Sequence, residues 1–289
     1  MRRSARIFLY SLYALIAVLF FLYFRFPSDA VRDLLIEQVS QVQPDVKVST
    51  RQVNPVFPPG LKFKPLEVQY AALPLASADF LKLRPELLSL LREQKNFIFG
   101  GSIGSGEFNG RAELAAGSRG VQARVLMNMT GVPIEALALF RNWPGYKPSG
   151  DVNADIDYDS RQGTGGAARV NLNISPAKVM INPPIMGLGQ IEFATVQAEM
   201  TITPQMLQIR RCEASGPQLE GRVSGSVIFR QPLETSRVTL SCTLKPQAAF
   251  VAEHKNDVLG GLLANNNAQK RGIVFRISGT LDDPRYVIR

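Results

Sequence analysis

The stretch Asp151-Val152-Asn153-Ala154-Asp155-Ile156-Asp157-Tyr158-Asp159 decides the fold class. Its apolar residues take every second position, and each residue between them is Asp or Asn. Side chains along a strand point to opposite faces in turn, so this spacing predicts a strand with one apolar and one wet face. The pattern recurs on both sides. Val170, Leu172 and Ile174 alternate with asparagines, and Val238, Leu240, Cys242 and Leu244 alternate with Thr239, Ser241 and Thr243. Val223, Val227 and Phe229 share a face with Gly221 and Gly225, and Phe275, Ile277 and Leu281 repeat the pattern near the C-terminus. Ile191 and Phe193 stand out of phase with Val196, Ala198, Met200 and Ile202, which predicts a bulge near Ala194-Thr195. The spacing suits antiparallel meanders and lacks the regular helical crossovers of a parallel sheet. Glycines within the strands, Gly221, Gly225 and Gly279, suit a bent sheet. The fold class is therefore mainly β: a bent antiparallel sheet with a few packing helices.

Four helical stretches are expected. Ser28 caps one that runs to about Gln43 and stops at Pro44. Pro85 suits the first position of a second, which carries Leu87, Leu88, Leu90 and Leu91. A third covers about Ile134 to Trp143, and a fourth about Phe250 to Leu263. Between them Val46 to Ser49 and Leu61 to Tyr70 read as extended, joined by a rigid turn around Pro55, Pro58 and Pro59.

Before the β-rich region, Ile7 to Phe24 runs for 18 residues without a charge. As a helix it would be about 27 Å long, close to the hydrocarbon thickness of a bilayer. Ile7, Leu12, Leu15, Leu19 and Phe24 mark its length, and Arg2, Arg3 and Arg6 precede it. The positive-inside bias puts the N-terminus in the cytoplasm and the bulk of the chain on the far side. The competing reading is a cleaved signal peptide, but the run is long and ends in bulky residues with no A-x-A pattern. The expected layout is a cytoplasmic tail at 1–6, a transmembrane anchor at 7–25 and a β-rich domain at 26–289. That domain would have helices in its first part, about 26–145, and mostly strands in 146–289.

The 289 residues carry 33 Lys plus Arg against 24 Asp plus Glu, a net charge of +9. Three of those charges belong to the leading arginines, and no cation cluster interleaves with aromatics, so nucleic-acid binding is not expected. One histidine, His254, excludes multi-His metal centres, and no Gly-x-Ser-x-Gly elbow accompanies it. Gly100-Gly101-Ser102-Ile103-Gly104-Ser105-Gly106 lacks the Gly-Lys-Ser/Thr ending of a phosphate loop. An EF-hand loop starting at Asp151 would need Gly at its sixth position and Glu at its twelfth, where the chain has Ile156 and Gln162. No catalytic residue, cofactor or metal site is expected. Cys212 and Cys242 would pair if their strands were neighbours, and otherwise serve as small apolar residues. The apolar sheet face can pack on helices, fold on itself or hold acyl chains in a groove. The candidate groove residues are Val238, Leu240, Leu244, Phe275, Ile277 and Leu281.

Several stretches together carry a family resemblance. Phe26-Pro27-Ser28-Asp29-Ala30-Val31 follows the apolar run, and Val53-Asn54-Pro55-Val56-Phe57-Pro58-Pro59-Gly60-Leu61-Lys62-Phe63 comes next. Leu81-Lys82-Leu83-Arg84-Pro85-Glu86-Leu87-Leu88, the glycine-rich stretch and a closing Gly279-Thr280-Leu281-Asp282-Asp283-Pro284 complete the set. The chain resembles type II secretion system protein N and, more distantly, the AsmA-like envelope proteins. The nearer resemblance implies a single-pass inner-membrane protein of Gram-negative bacteria with its bulk in the periplasm. It implies an accessory role with the inner-membrane platform or the secretin as partners. The AsmA side implies a β groove that handles phospholipid. The family has no catalytic residues to carry over.

Overall fold

The computed structural model describes residues 8–14, 17, 27–33, 37, 46–57, 59–70, 73–117, 120–137, 145–162, 165–185, 188–253 and 272–288. The strands in the first part are β1 (Val46–Val56), β2 (Gly60–Tyr70), β3 (Leu73–Ala78), β4 (Phe80–Pro85), β5 (Lys95–Ile103), β6 (Gly106–Gly117) and β7 (Gly120–Pro133). They continue as β8 (Tyr146–Ser149), β9 (Asp151–Asp159), β10 (Ala167–Ile174), β11 (Ala177–Ile185), β12 (Leu188–Phe193) and β13 (Thr195–Ile202). The last are β14 (Met206–Ser215), β15 (Leu219–Ile228), β16 (Arg237–Pro246), β17 (Ile273–Thr280) and β18 (Pro284–Ile288), with a short helix α1 (Ala248–Glu253) after β16.

Fifteen of these strands form one sheet in which spatial order follows chain order, from β1 to β18. Every pairing is antiparallel. β3 and β4 both pair with β2, at Leu66 opposite Ala78 and at Phe63 opposite Leu81. β8, β11 and β12 leave the sheet and form a small one of their own, order β12-β11-β8. The large sheet continues across residue 145, because β7 pairs directly with β9.

Register makes one face apolar over most of this length. Phe108 lies opposite Met129, Met129 opposite Ala154, Ala154 opposite Leu172, Leu172 opposite Ala198 and Ala198 opposite Cys212. On the other face Asn109, Asn128, Asp155, Asn171, Glu199 and Arg211 form an equally continuous row. Two clusters bury parts of the apolar face. The larger gathers Ala78, Ile103, Phe108, Met129, Val132, Ile134, Val152 and Ala154. The smaller packs Phe250 and Val251 of α1 on Leu219, with Ile191 and Phe193 of the small sheet alongside.

The glycine-rich stretch serves this packing. Phe108 lies across from Gly101, and Phe99 across from Gly110. A methyl group at Gly101 would come within 2.7 Å of the Phe108 ring and press into the Phe80 carbonyl oxygen. Glycine therefore lets each ring lie on the neighbouring strand.

Several helical expectations are corrected. Pro85 ends strand β4, and Leu87–Leu91 is a five-residue 3-10 turn. Ile134–Ala136 is also a 3-10 turn, and the rest of that expected helix lies outside the described residues. Of the stretch from Phe250 to Leu263, residues up to Glu253 are helical and the remainder, with His254, lies outside them. There is no bulge at Ala194-Thr195: β12 ends at Phe193 in one sheet and β13 starts at Thr195 in another, so the phase changes with the partner. One bulge does occur a strand further on, at Arg210-Arg211 of β14, where the register shifts against both β13 and β15.

Residues 8–14, including Leu12, are helical, as are 28–33. Ile7, Leu15, Leu19, Phe24, Arg2, Arg3 and Arg6 lie outside the described residues, as does Trp143. Among the described residues no helix is long and apolar enough to cross a membrane.

Candidate functional site

Five of the six candidate groove residues fall on one stretch of the apolar face. Leu240 of β16 lies opposite Ile277 of β17, Cys242 opposite Phe275, and Val238 opposite Gly279. Leu244 completes the row opposite Ile273. Val238 is buried, whereas Leu240, Leu244, Phe275 and Ile277 are half-buried. This part of the face thus keeps contact with solvent between the margin and the α1 cluster. Leu281 is the exception. It leaves the ladder after Thr280, donates its backbone N–H to the Ser236 carbonyl and is 47% exposed in the turn.

Cys212 and Cys242 share the apolar face but not a strand pair. Both lie opposite Val223 of β15, which stands between them. Two strand spacings come to about 10 Å, beyond the reach of a disulfide. Both thiols are free, and burial pushes each above the usual cysteine range.

On the wet face a groove of about 600 Å³ runs over Asn109, Asn128, Asp155, Asp157, Arg169 and Asn171. Asn128 donates to Asp155 at 2.8 Å, and Arg211 to Glu199 at 3.0 Å. Asp157 sits between Arg124 at 3.6 Å and Arg169 at 3.7 Å. Asp159 is buried at the strand end, where Arg161 holds it by two side-chain bonds of 2.9 Å and a backbone N–H. These bonds hold its carboxyl down at about 2. Among the described residues no group of three or more His, Cys, Asp or Glu is placed to hold a metal ion. The aspartates of the decisive stretch form a row along a strand, most of them tied to arginine or asparagine.

The rim at the β1–β2 and β4–β5 turns was not singled out by the sequence reading. Leu61 lies opposite Leu83, so the turn carrying Phe57 and the turn Leu87–Leu91 sit side by side at one end of the sheet. Phe57 is 86% exposed, Leu88 77% and Leu91 88%, with Leu87 and Leu90 also exposed. The turn is firmly built. Ser89 is buried, its hydroxyl donates to the Glu86 carbonyl at 2.6 Å and it accepts the Asn96 N–H at 2.9 Å. The Glu86 carboxylate accepts from Arg111 at 2.7 Å and from Asn96 at 3.1 Å. Behind the turns, Lys62 and Lys82 lie directly opposite each other, with their ammonium groups 4.4 and 5.3 Å from the centre of the Phe80 ring. Partial burial and the neighbouring Lys64 and Lys82 hold Lys62 below the usual lysine range.

Compared with protein families, curated proteins and solved structures, the chain matches none.

Proposed function

We propose that this chain is a single-pass inner-membrane protein with its β-rich bulk in the periplasm, an accessory of type II secretion that works by binding proteins and not by catalysis. The resemblance of its turn and strand motifs to type II secretion system protein N supplies the assignment. The observation that carries the binding role is the free margin of the sheet. Among the described residues β18 pairs on one side only, with β17, and Tyr286 and Val287 on it are exposed. Such an edge can accept a strand from a partner. The anchor is the segment 7–25, whose run from Ile7 to Phe24 carries no charge, oriented by Arg2, Arg3 and Arg6.

Affinity purification of the full-length protein from gently solubilised envelopes, scored by mass spectrometry against an anchor-only control, tests this reading. Secretin or inner-membrane platform proteins should be enriched, and their absence would overturn it. A reporter fused after Arg289 should be active only where it requires the periplasm, and a cytoplasmic signal would reverse the topology.

A second reading rests on the half-buried row Leu240, Leu244, Phe275 and Ile277. In it the apolar face holds phospholipid acyl chains, as the AsmA-like resemblance implies. Leu240→Asp together with Ile277→Asp should then remove co-purifying phospholipid while the strand content stays unchanged. Retained lipid, or collapse of the fold, counts against the groove.

A further inference from the structure

We infer that the rim formed by Phe57 and the Leu87–Leu91 turn is a bilayer-docking edge, which seats the sheet on a membrane surface carrying anionic lipid. The inference stands on the rim itself and does not require the anchor.

Four observations converge. First, Leu87, Leu88, Leu90 and Leu91 are all exposed although they lie within five consecutive residues, and Phe57 on the adjacent turn is exposed as well. Single exposed apolar residues are ordinary, but a contiguous group at one end of a molecule marks a contact surface. Second, the leucines are presented by a fixed turn. Ser89 and Glu86 spend their hydrogen bonds inward on Asn96 and Arg111, which fixes the backbone that carries the leucines.

Third, the charge beside these tips is positive. Arg84, Arg92 and Lys95 flank the turn, while of the nearby acids Glu86 is engaged by Arg111, Glu93 lies on the turn itself and Glu113 lies opposite Asn96. Fourth, the cationic character continues up the sheet. Lys62 and Lys82 follow five residues from Phe57 and Leu87, roughly 16 Å at strand rise, and Lys64 lies two residues beyond Lys62. Lys62 lies directly across from Lys82, and the Phe80 ring beside both ammonium groups offsets part of their repulsion, so the pair holds two positive charges together behind the tips. Apolar tips with cations set behind them match the layering of a bilayer, where acyl chains lie beneath anionic headgroups. A second copy of this chain would bring the same cations face to face, which charge disfavours.

The chain has one tryptophan, Trp143, which allows a depth measurement. The full-length protein carrying Trp143→Phe and Leu88→Trp is reconstituted into vesicles of equimolar phosphatidylethanolamine and phosphatidylglycerol, part of the lipid brominated on the upper acyl chain. The control carries Leu126→Trp instead, half-way along the wet face. Emission from position 88 should be blue-shifted and quenched on the order of twofold, and emission from position 126 unquenched. Adding Arg92→Glu and Lys95→Glu should abolish quenching at 88. Equal, unquenched emission at both positions overturns the inference. So does a blue shift at 88 that ignores bromine and grows with protein concentration, which would place a second copy on the rim. Failure of the anchor is read separately, by the reporter after Arg289.

Discussion

Removing the Phe108 ring tests where the sheet is held together. Phe108 is 8% exposed, with Gly101 on one side, Met129 on the other and Val132, the best-buried residue of its cluster, close by. A phenylalanine ring buries about 150–250 Å². At about 25 cal/mol per Å² this gives about 4–6 kcal/mol, an upper bound because the unfolded chain is not fully extended. Core Phe→Ala changes cost about 3–5 kcal/mol, so Phe108→Ala should cost about 4 kcal/mol. Ile98 sits on the wet face of the adjacent strand β5 and is 46% exposed, so Ile98→Ala should cost about 1 kcal/mol. A sheet of this length need not unfold in one step, so the assay must be local. Hydrogen exchange of peptides spanning β5 to β7 in the detergent-solubilised full chain, across a urea series, reads the two costs separately. A loss below about 1 kcal/mol for Phe108→Ala would refute the placement of the core. Equal losses for the two variants would refute the assignment of the faces.

The remaining predictions concern single contacts. The carboxyl of Asp159, held at about 2 by Arg161, stabilises the folded chain above the unfolded pKa near 4, and this contribution is lost as pH falls from there to about 2. Because Arg161 is largely exposed, the effect is about 1 kcal/mol, and melting temperatures of wild type and Asp159→Asn should differ at pH 6 and converge at pH 2. A gap that stays constant with pH would contradict this account. Alkylation of the unfolded, unreduced chain should label both Cys212 and Cys242, and a chain that takes no label would mean that they are bridged. Gly101→Ala should destabilise by more than about 2 kcal/mol, because the Phe80 carbonyl in its way is backbone and cannot yield. A neutral result in a thermal melt would show that the strand can shift there.

Much of the sheet was legible because its strands bury one face and wet the other, as the alternation from Asp151 to Asp159 already says. The reading failed where a local pattern has two physical outcomes. Leu87, Leu88, Leu90 and Leu91 have the spacing of a buried helical stripe, and only the bonds from Ser89 to Glu86 and Asn96 turn them outward. The phase change near Ala194 marks a change of sheet, which no run of residues distinguishes from a bulge. Leu281 keeps the parity of Phe275 and Ile277, but the ladder ends one residue earlier. The cysteines could be placed on the same face by alternation, while the strand between them belongs to topology. The rim needed two turns, about 30 residues apart in the chain, to be set side by side by the β2–β4 pairing.

The agreement between chain order and spatial order in the large sheet bears on how it is assembled. Almost every strand needs only the strand made just before it, so a chain delivered from its N-terminus can lay down the sheet by accretion, with no early segment waiting for a late one. Stability of this kind is a sum over neighbouring contacts, as in repeat proteins. The C-terminal margin can then gain or lose a hairpin without rerouting any other strand. Two places break the rule: β4 passes over β3 to pair with β2, and β8 must be held until β11 arrives. The molecule is built like a growing ribbon, and its length is a quantity that evolution can adjust one hairpin at a time.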